Sequence, residues 1–258
     1  MSAPSPTLAL VRPPGPDLAD CELTHLDRVR IDPHRAALQH AAYTETLRRL
    51  GVEVLALAPL EGHPDACFVE DPALALPGRA VLTRPGAPSR RGEVEDLGRA
   101  LAPLLPVEQL DAGTLDGGDV LQLPDRILVG LSTRTDRAGV DALARIARRP
   151  VVAVPVRGAL HLKTVLSWLG GDRLLADPAA VDPAHLEGFE VHHPHPDEPA
   201  GANVLKVGGD LVVSAAAPRT ADRLDALGAS LHPVDIGEFH KAEAGLTCLS
   251  LLVGPAAH

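Results

Sequence analysis

The hydrophobic residues of this chain fall into short runs that occur in pairs, and each pair is joined by a turn sequence. Residues 73–83, 119–130 and 203–214 each contain two apolar runs separated by a Pro-Gly, Pro-Asp or Gly-Gly pair. Short apolar runs joined by such residues are typical of β-hairpins. The pattern therefore predicts three hairpins of similar length.

Each hairpin is followed by a segment with helical periodicity and then by a third apolar run. The predicted helices cover residues 93–105, 137–148 and 220–227, and the third strands cover residues 107–110, 151–154 and 231–234. A more degenerate fourth copy has predicted strands at 164–169, 173–176 and 189–192, with a short helix at 182–187. The recurring unit is therefore of the ββαβ type.

The fifth copy is divided between the two ends of the chain. Its first strand is predicted at residues 246–253, and its other elements are predicted at 7–11, 33–50 and 52–57. Repeats of this length indicate repeated supersecondary units, and a last unit completed by both termini closes them into a ring. We therefore expect an α/β fold with pseudo-fivefold symmetry in one domain, residues 1–258, with its ordered part at about 7–253 and a short tail at each end.

One polar residue stands at or just before the first apolar run of each unit. These residues recur at intervals of about 45 and are Asp71, Asp116, His161, Asn203 and Cys248. In a closed ring, equivalent positions of all units face the same axis. We therefore expect the five side chains to converge on one site.

The composition indicates a globular protein with a substantial core. Hydrophobic residues make up 45% of the 258 residues and aromatic residues only 2%, so the core must consist mainly of Ala, Val and Leu. A net charge of -10 disfavours binding to nucleic acid or to an anionic membrane. We expect no membrane span, because no stretch of 18 apolar residues occurs, and a monomer or homodimer.

The cysteines point to a reducing compartment. There are three of them, Cys21, Cys67 and Cys248, widely spaced and without a CxxC pair. This arrangement fits neither a disulfide framework nor a zinc knuckle. Because the first residues do not form a secretory signal either, we expect the protein to act in the cytoplasm.

Five motifs occur in one order along the chain: FVED at 68–71, TRPGAPSRR at 83–91, TLDGGDVL at 114–121, LHLK at 160–163 and LTC at 246–248. Together they resemble the dimethylarginine dimethylaminohydrolase family of the guanidine-modifying superfamily. The resemblance runs from about residue 11 to residue 253. It implies a five-bladed α/β-propeller that hydrolyses Nω-methylated arginines, including the asymmetrically dimethylated form, to citrulline and an amine without a metal or organic cofactor.

Carboxylates are the natural partners of a guanidinium group, because they match its planar cation with bidentate, charge-assisted hydrogen bonds. Asp71 and Asp116 are the candidates for this contact, and Glu70 and Asp65 lie close to Asp71 in sequence. Many members of the superfamily have Glu at the position of Asp116. The shorter side chain keeps the charge but reduces the reach of the carboxylate.

Attack on the guanidinium carbon requires a thiolate, and the resemblance assigns this role to Cys248. A cationic substrate next to the thiol lowers its pKa, as does a protonated histidine. The leaving amine needs a proton and the later water attack needs a base. His161 can serve both steps in turn, with Asp116 as the third catalytic residue.

The amino-acid end of such a substrate carries a carboxylate, for which the planar fork of arginine is suited. Arg90 and Arg134 occupy matching positions after two hairpins and are the candidates. The resemblance also implies that a loop around Leu23 closes over the substrate and excludes water.

Two alternatives to this function remain open. The first is another enzyme of the superfamily, an arginine deiminase or an amidinotransferase, which shares the same catalytic groups. The second is a non-enzymatic propeller that binds a macromolecule, although such a module does not need Asp116, His161 and Cys248 together. The histidines at 192–195 invite a zinc site, but the prolines among them favour a surface loop, and we expect no metal.

Overall fold

Fifteen short strands and six α-helices form the regular structure of residues 8–254, the part of the chain that the computed structural model describes. The strands are β1 (Leu8–Val11), β2 (Glu53–Ala56), β3 (Ala73–Leu76), β4 (Arg79–Leu82), β5 (Val107–Gln109), β6 (Val120–Gln122), β7 (Ile127–Leu131), β8 (Val151–Pro155), β9 (Leu166–Gly170), β10 (Arg173–Ala176), β11 (Glu190–His192), β12 (Leu205–Val207), β13 (Asp210–Ser214), β14 (Ser230–Val234) and β15 (Leu251–Val253). The helices are α1 (Pro33–Arg49), α2 (Glu93–Leu101), α3 (Arg137–Ile146), α4 (Leu162–Val165), α5 (Pro218–Asp225) and α6 (Gly237–His240).

The strands form five separate three-stranded sheets, in the orders β15-β1-β2, β3-β4-β5, β6-β7-β8, β9-β10-β11 and β12-β13-β14. In every sheet the central strand is antiparallel to the first strand of the unit and parallel to the third. The predicted α/β fold with five strand-containing units is confirmed in this form. The sheet that holds β1 takes one strand from the C-terminal end of the chain, as predicted.

Turn residues determine where the hairpins reverse. Gly78 lies between β3 and β4 with φ of 75°, and Gly208 lies between β12 and β13 with φ of 59°. Only glycine adopts this left-handed conformation without a steric cost. The two turns therefore help to set the registers of the β3–β4 and β12–β13 hairpins.

The first helix begins where its sequence indicates. The carboxylate of Asp32 accepts hydrogen bonds from the backbone N–H groups of His34 and Arg35, and Pro33 occupies the first helical position. Gly51 follows the helix with φ of 80°. These are the capping arrangements that favour helix ends at such residues.

Several predicted boundaries differ from the structure for local reasons. The helix predicted to reach residue 105 ends at Leu101, because Pro103 cannot continue the hydrogen-bonding pattern. In the fourth unit the predicted helix 182–187 is a single 3-10 turn, Pro183–Leu186. The strand predicted to begin at residue 246 begins at Leu251, and a 3-10 turn, Thr247–Leu249, precedes it.

Thr7, predicted to open the first strand, lies outside the described residues, and so do nearly all of the two predicted tails. Within residues 8–254, none of the helices combines the length and apolar character needed to cross a membrane.

Aliphatic side chains dominate the interior, as the low aromatic content predicts. The buried apolar residues are mostly Ala, Val and Leu. The exceptions near the site are Phe68 and Phe239, whose rings pack edge to face with centroids 6.3 Å apart, and Tyr43 in the same cluster. This cluster supports the segment that leads into β3 and the 3-10 turn before β15, and therefore both sides of the candidate site.

Candidate active site

A cavity lies where the segments before β3, β9 and β15 meet. Its wall contains six of the nine residues assigned to the site from sequence: Asp65, Asp71, Arg90, Arg134, His161 and Cys248. The other wall residues are Glu22, Phe68, Leu160, Ala242, Glu243 and Ala244. Strands far apart in sequence thus bring a thiol, an imidazole, carboxylates and two guanidinium groups to one space.

Asp71 is held firmly at the end of the turn before β3. One carboxylate oxygen accepts a hydrogen bond from the backbone N–H of Gly118 at 2.9 Å, and the other accepts one from Arg90. Burial disfavours the charged carboxylate, but the positive charges of His161 and Arg90 outweigh it and lower the pKa of Asp71 to about 2. Asp71 therefore carries a full negative charge toward the cavity at neutral pH.

His161 is buried between two carboxylates. Its Nε2 lies 3.0 Å from Oδ2 of Asp116, and its Nδ1 lies 4.0 Å from Oδ1 of Asp71. Burial alone lowers the pKa of an imidazole, but the carboxylates of Asp71, Asp116 and Asp119 raise the pKa of His161 to about 9. The ring is therefore protonated at neutral pH and is able to act as an acid.

The glycine at position 118 permits this close arrangement. A Cβ atom there would lie 2.5 Å from Nδ1 of His161 and 2.8 Å from Oδ1 of Asp71. Neither group can retreat easily, because both are buried and hydrogen-bonded. The motif that contains Gly118 thus provides the space in which the imidazole and the carboxylate meet.

Asp116 lies behind the imidazole instead of in the cavity wall. One of its oxygens contacts His161, and the other accepts the backbone N–H of Gly86 at 2.8 Å. Its side chain is fully buried. The sequence predicts Asp116 as a direct partner of a guanidinium group, whereas in the structure its two oxygens contact His161 and the backbone of a neighbouring loop.

Cys248 lies in the 3-10 turn before β15, where it is half-buried and accepts a hydrogen bond from the N–H of Gly245 at 3.4 Å. Burial and the nearby carboxylates of Glu70 and Asp71 raise the pKa of the thiol well above its usual value. The thiol is therefore protonated at neutral pH in the substrate-free protein. Cys21 and Cys67 are fully buried and their thiols also have raised pKa values, to about 11 for Cys21.

A buried polar network supports the turn that carries Cys248. The carboxylate of Glu70 accepts hydrogen bonds from Nζ of Lys163 at 2.5 Å and from the hydroxyl of Thr247 at 2.8 Å. The amide of Asn203 donates to that hydroxyl at 3.1 Å and to the carbonyl of Lys163 at 2.7 Å, and it accepts the N–H of Thr247 at 3.2 Å. Glu70 and Asn203 therefore hold Thr247, the residue before Cys248, and do not line the cavity wall.

Asn203 is one of the five repeat positions, but the sequence indicates no role for it. Lys163 belongs to the LHLK motif and was likewise left without a role. The regular spacing was the signal that could have identified Asn203. No comparable signal marks Glu22 or Glu243, which reach the cavity through loops.

Arg90 is buried and its guanidinium group contacts several protein acceptors. It donates to Asp71, to both carboxylate oxygens of Glu93 at 3.1 and 2.8 Å, and to the carbonyls of Asp65 and Phe68 at 3.2 and 3.1 Å. Burial disfavours its charge, but the carboxylates of Glu93 and Asp71 outweigh this and raise its pKa. The guanidinium group of Arg90 thus holds Asp71 and Glu93 in the structure, and its predicted contact with a substrate carboxylate stays a prediction.

Arg134 and Asp65 line the wall on the side of the loop that contains Leu23. Arg134 donates from Nη2 to the hydroxyl of Thr24 at 3.0 Å. Asp65 is buried and accepts the backbone N–H of Glu22 at 3.1 Å. Leu23 itself is half-buried and packs against the core cluster of Phe68 and Phe239, so its neighbour Glu22 is the loop residue in the cavity wall.

Among the described residues, one set of side chains could bring three metal donors together. Single ligand atoms of Asp71, Asp116 and His161 lie within 4.8 Å of one another. The donors already bind Arg90, Gly86 and each other, and the imidazole carries a proton, so this arrangement suits proton chemistry better than a cation. The histidines of the 192–195 loop form no such group within residues 8–254.

Comparison with known proteins places this geometry in context. A family model described as arginine deiminase matches residues 104–200. The chain is 43% identical to the N(G),N(G)-dimethylarginine dimethylaminohydrolase of Streptomyces coelicolor over 94% of this chain and 95% of that protein. It is 34% identical to the protein of the same name from Pseudomonas aeruginosa over 94% of this chain and 97% of that protein.

A solved structure gives the same picture. The fold superposes with a TM-score of 0.90 on a cysteine-to-serine variant of the Pseudomonas aeruginosa protein complexed with citrulline. The sequence identity is 32%, and the match covers 96% of this chain and 99% of that chain.

Proposed function

The chain belongs to the dimethylarginine dimethylaminohydrolase family, and we propose that it hydrolyses asymmetric dimethylarginine and monomethylarginine to citrulline and dimethylamine or methylamine. It is a hydrolase that acts on a C–N bond of a linear amidine. The observation that carries this proposal is the convergence of Cys248, His161 and Asp71 on one cavity whose resting thiol is protonated. The substrate that fits this set brings its own positive charge.

The guanidinium end of the substrate binds against Asp71. The charge of Asp71 is secured by Arg90 and by the N–H of Gly118, so it is available as an acceptor for the cationic substrate. The α-carboxylate contacts Arg134, with Arg90 as the second guanidinium in the wall, and Asp65 faces the α-ammonium group. The two ends of the amino acid are thus recognised by groups of opposite charge.

Substrate binding activates the nucleophile. The pKa of Cys248 is raised by burial and by Glu70 and Asp71, and a guanidinium cation placed between them lowers it. The thiol then gives its proton to solvent, and the thiolate sulfur attacks the central carbon. The C–S bond forms as the bond to the methylated nitrogen breaks, which leaves an S-alkylthiouronium cation on the enzyme.

His161 serves both halves of the reaction. Its protonated ring donates a proton to the departing methylamine or dimethylamine, which needs one to leave. The neutral ring then accepts a proton from the water that attacks the thiouronium carbon. The tetrahedral intermediate then collapses: its hydroxyl proton passes to the sulfur as the C–S bond breaks, and citrulline leaves. Asp116 keeps the imidazole in place through both steps by its contact with Nε2.

We propose further that the five sheets are the blades of a closed propeller and that the chain is a single catalytic domain. The sheet of β15, β1 and β2 contains strands from both ends of the chain, and β15 contacts β3 of the next sheet. β12 and β9 connect two other neighbouring sheets. The site residues come from several sheets and meet at one place, which a closed ring explains.

For the compartment we propose the cytoplasm. Cys21, Cys67 and Cys248 are all free thiols in this structure, and the mechanism requires the last of them to remain reduced. Fractionation of the producing cells, with immunodetection of the protein, tests this placement.

Arginine deiminase is the second candidate, because the deiminase family model matches residues 104–200. The catalytic groups do not separate the two reactions, since both use a thiol, a histidine and carboxylates. What distinguishes the two enzymes is how the cavity contacts the methylated nitrogen of the substrate.

Product analysis tests the function directly. Purified protein is incubated separately with arginine, monomethylarginine, asymmetric dimethylarginine and symmetric dimethylarginine, and citrulline and the released amine are quantified. We expect citrulline and dimethylamine from asymmetric dimethylarginine, and citrulline and methylamine from monomethylarginine. Ammonia and citrulline from free arginine, without release of a methylated amine from the other substrates, would establish the deiminase instead. The Cys248→Ser variant serves as the blank.

A further inference from the structure

A loop of exposed residues runs past the cavity mouth between Cys21 and Ile31. Residues 22–30 are exposed, apart from the half-buried Leu23. Its large apolar side chains Leu26 and Val29 are each 51% exposed. Such a segment gains little from burial of its own side chains, so other contacts must hold its position.

Glu243 provides such contacts from across the cavity mouth. Its carboxylate accepts backbone N–H groups from three consecutive loop residues, Thr24 at 3.0 Å and His25 and Leu26 at 2.5 Å each. Both carboxylate oxygens take part. Successive N–H groups that converge on one anion form a concave binding arrangement, and hydrogen bonds to a charged acceptor are stronger than neutral ones.

The backbone of Glu243 adopts a costly conformation in order to make this contact. Its φ is 58°, and within residues 8–254 it is the one residue other than glycine with a positive φ. A side chain in the left-handed region is disfavoured, and glycine or asparagine is usually found there. A strained residue at a functional cavity indicates that its side chain has a task that glycine cannot perform.

The loop and Glu243 are both joined to the groups that contact the substrate. The loop residue Thr24 accepts a hydrogen bond from Arg134, and the N–H of Glu22 is bound by Asp65. Glu243 lines the cavity itself, and its own N–H donates to the carbonyl of His240 at 3.2 Å, at the end of α6. A shift of the loop therefore disturbs the wall that receives the amino-acid end of the substrate.

We propose that Glu243 is a positioning residue that fastens residues 22–30 over the cavity and thereby aligns Arg134 and Asp65 with the substrate. This inference rests on the proposed function. Glu243 takes no part in bond making or breaking, since its two oxygens are occupied by the loop. Its loss weakens substrate binding more than it slows the chemical steps at Cys248.

Hydrogen exchange in the substrate-free protein tests the fastening without any need for activity. Glu243→Gly removes the carboxylate and also relieves the strained φ, so it is expected to fold. Glu243→Gln keeps the size but offers one acceptor oxygen. We expect the amides of residues 24–26 to exchange at least about tenfold faster in Glu243→Gly and by an intermediate amount in Glu243→Gln, because they lose charged acceptors. Glu45→Gln, an exposed change on α1, is the matched control.

Steady-state kinetics of the same variants test the effect on the reaction. We expect Glu243→Gly to raise KM for asymmetric dimethylarginine about tenfold or more while kcat changes less than about threefold. Unchanged exchange at residues 24–26 in Glu243→Gly overturns the fastening role. A roughly tenfold fall of kcat with KM unchanged overturns it as well. If wild type turns over none of the arginines but exchange still rises in Glu243→Gly, the fastening stands and the proposed function fails.

Discussion

The imidazole Nε2 of His161 lies 3.0 Å from a carboxylate oxygen of Asp116, and both side chains are shielded from solvent. This contact fixes the ring so that its other nitrogen faces Asp71 at 4.0 Å. One histidine is thereby held between a supporting carboxylate and a carboxylate of the cavity wall. The arrangement makes the proton on the ring available to a leaving group near Asp71.

Replacing the glycine beneath this ring should disrupt the site. Gly118→Ala places a methyl group 2.5 Å from Nδ1 of His161, so the imidazole or Asp71 must move. We expect the free energy of unfolding to fall by about 1–3 kcal/mol, which is typical of overpacking. We also expect kcat to fall in the protein that remains folded, because the imidazole and Asp71 are displaced. Urea titration and steady-state assays measure the two effects. The control is Gly209→Ala, where the added methyl has no neighbour within 4 Å. An equal loss of stability and activity at both positions would contradict the role of Gly118 in leaving space for His161 and Asp71.

The stability of the protein should depend on the protonation of His161. Although burial opposes the charge, Asp71 and the other carboxylates raise the pKa of His161 from 6.5 to about 9, so the folded state holds the proton more tightly than the unfolded state. The resulting stability is fully present below pH 6.5 and is lost as the pH rises through about 9.

Urea unfolding of wild type and His161→Gln at several pH values between about 6 and 10 measures this linkage. We expect the advantage of wild type to shrink as the pH rises. A difference between wild type and His161→Gln that is constant over this range would refute the raised pKa.

Cys248→Ser should abolish turnover while substrate still binds. A hydroxyl is a far weaker nucleophile than a thiolate, so we expect kcat below about a thousandth of the wild-type value and a dissociation constant for asymmetric dimethylarginine within about threefold of the wild-type KM. Rapid assays and isothermal calorimetry measure these quantities. Acid quenching of wild type followed by peptide mass spectrometry should place the covalent adduct on Cys248. An adduct on Cys21 or Cys67 would exclude the proposed nucleophile.

The two arginines of the cavity wall should differ in how their loss depends on the substrate. Arg134→Ala should weaken binding of asymmetric dimethylarginine by about 1.5–3 kcal/mol, the usual value of a hydrogen bond to a charged group. The same substitution should have little effect on the binding of a methylated guanidine that lacks the α-carboxylate. Arg90→Ala should impair both substrates, because Arg90 also holds Asp71.

Kinetic constants for both variants with both compounds decide this point. Equal losses in Arg134→Ala, with and without the α-carboxylate, would remove Arg134 from the carboxylate contact. Arg137→Ala, an exposed residue paired with Asp141 on α3, provides the matched control.

The pair of Lys163 and Glu70 should be important for stability as well as for the nucleophile's loop. Lys163→Met leaves the buried Glu70 without its cation, and breaking such a pair typically costs about 3–5 kcal/mol. Because Thr247 also depends on Glu70, turnover should fall further than substrate binding. The double variant Lys163→Met with Glu70→Gln should recover part of the lost stability. A double-mutant cycle with no coupling energy would contradict the proposed support of Cys248.

The repeat pattern was readable from sequence because hairpins depend on local features. Alternating apolar runs and turn residues such as Gly78 specify strands and their reversals within a few residues. Local features also explain the two element boundaries that were predicted wrongly. The predicted helix past Leu101 ignored Pro103, and the strand expected from residue 246 is a 3-10 turn until Leu251.

The spacing of one polar residue per unit also led to the neighbourhood of the site. Asp71, His161 and Cys248 do line one cavity, and Asn203 lies beneath the turn of Cys248. Equivalent positions of repeated units meet at one place when the units are arranged around an axis. The spacing did not predict the roles of these residues, since Asp116 contacts His161 on the side away from the cavity.

The sequence by itself determined the five units, the mainly aliphatic core and the set of residues able to perform guanidine chemistry, because these depend on periodicity and on residue type. Only the tertiary structure decided which carboxylate faces the cavity, which one supports the histidine and which one carries the nucleophile's turn. Glu70 and Thr247 are 177 positions apart in the chain and share a hydrogen bond. The charge state of a thiol or an imidazole depends on such distant neighbours and on burial, and both exist only once the chain has folded.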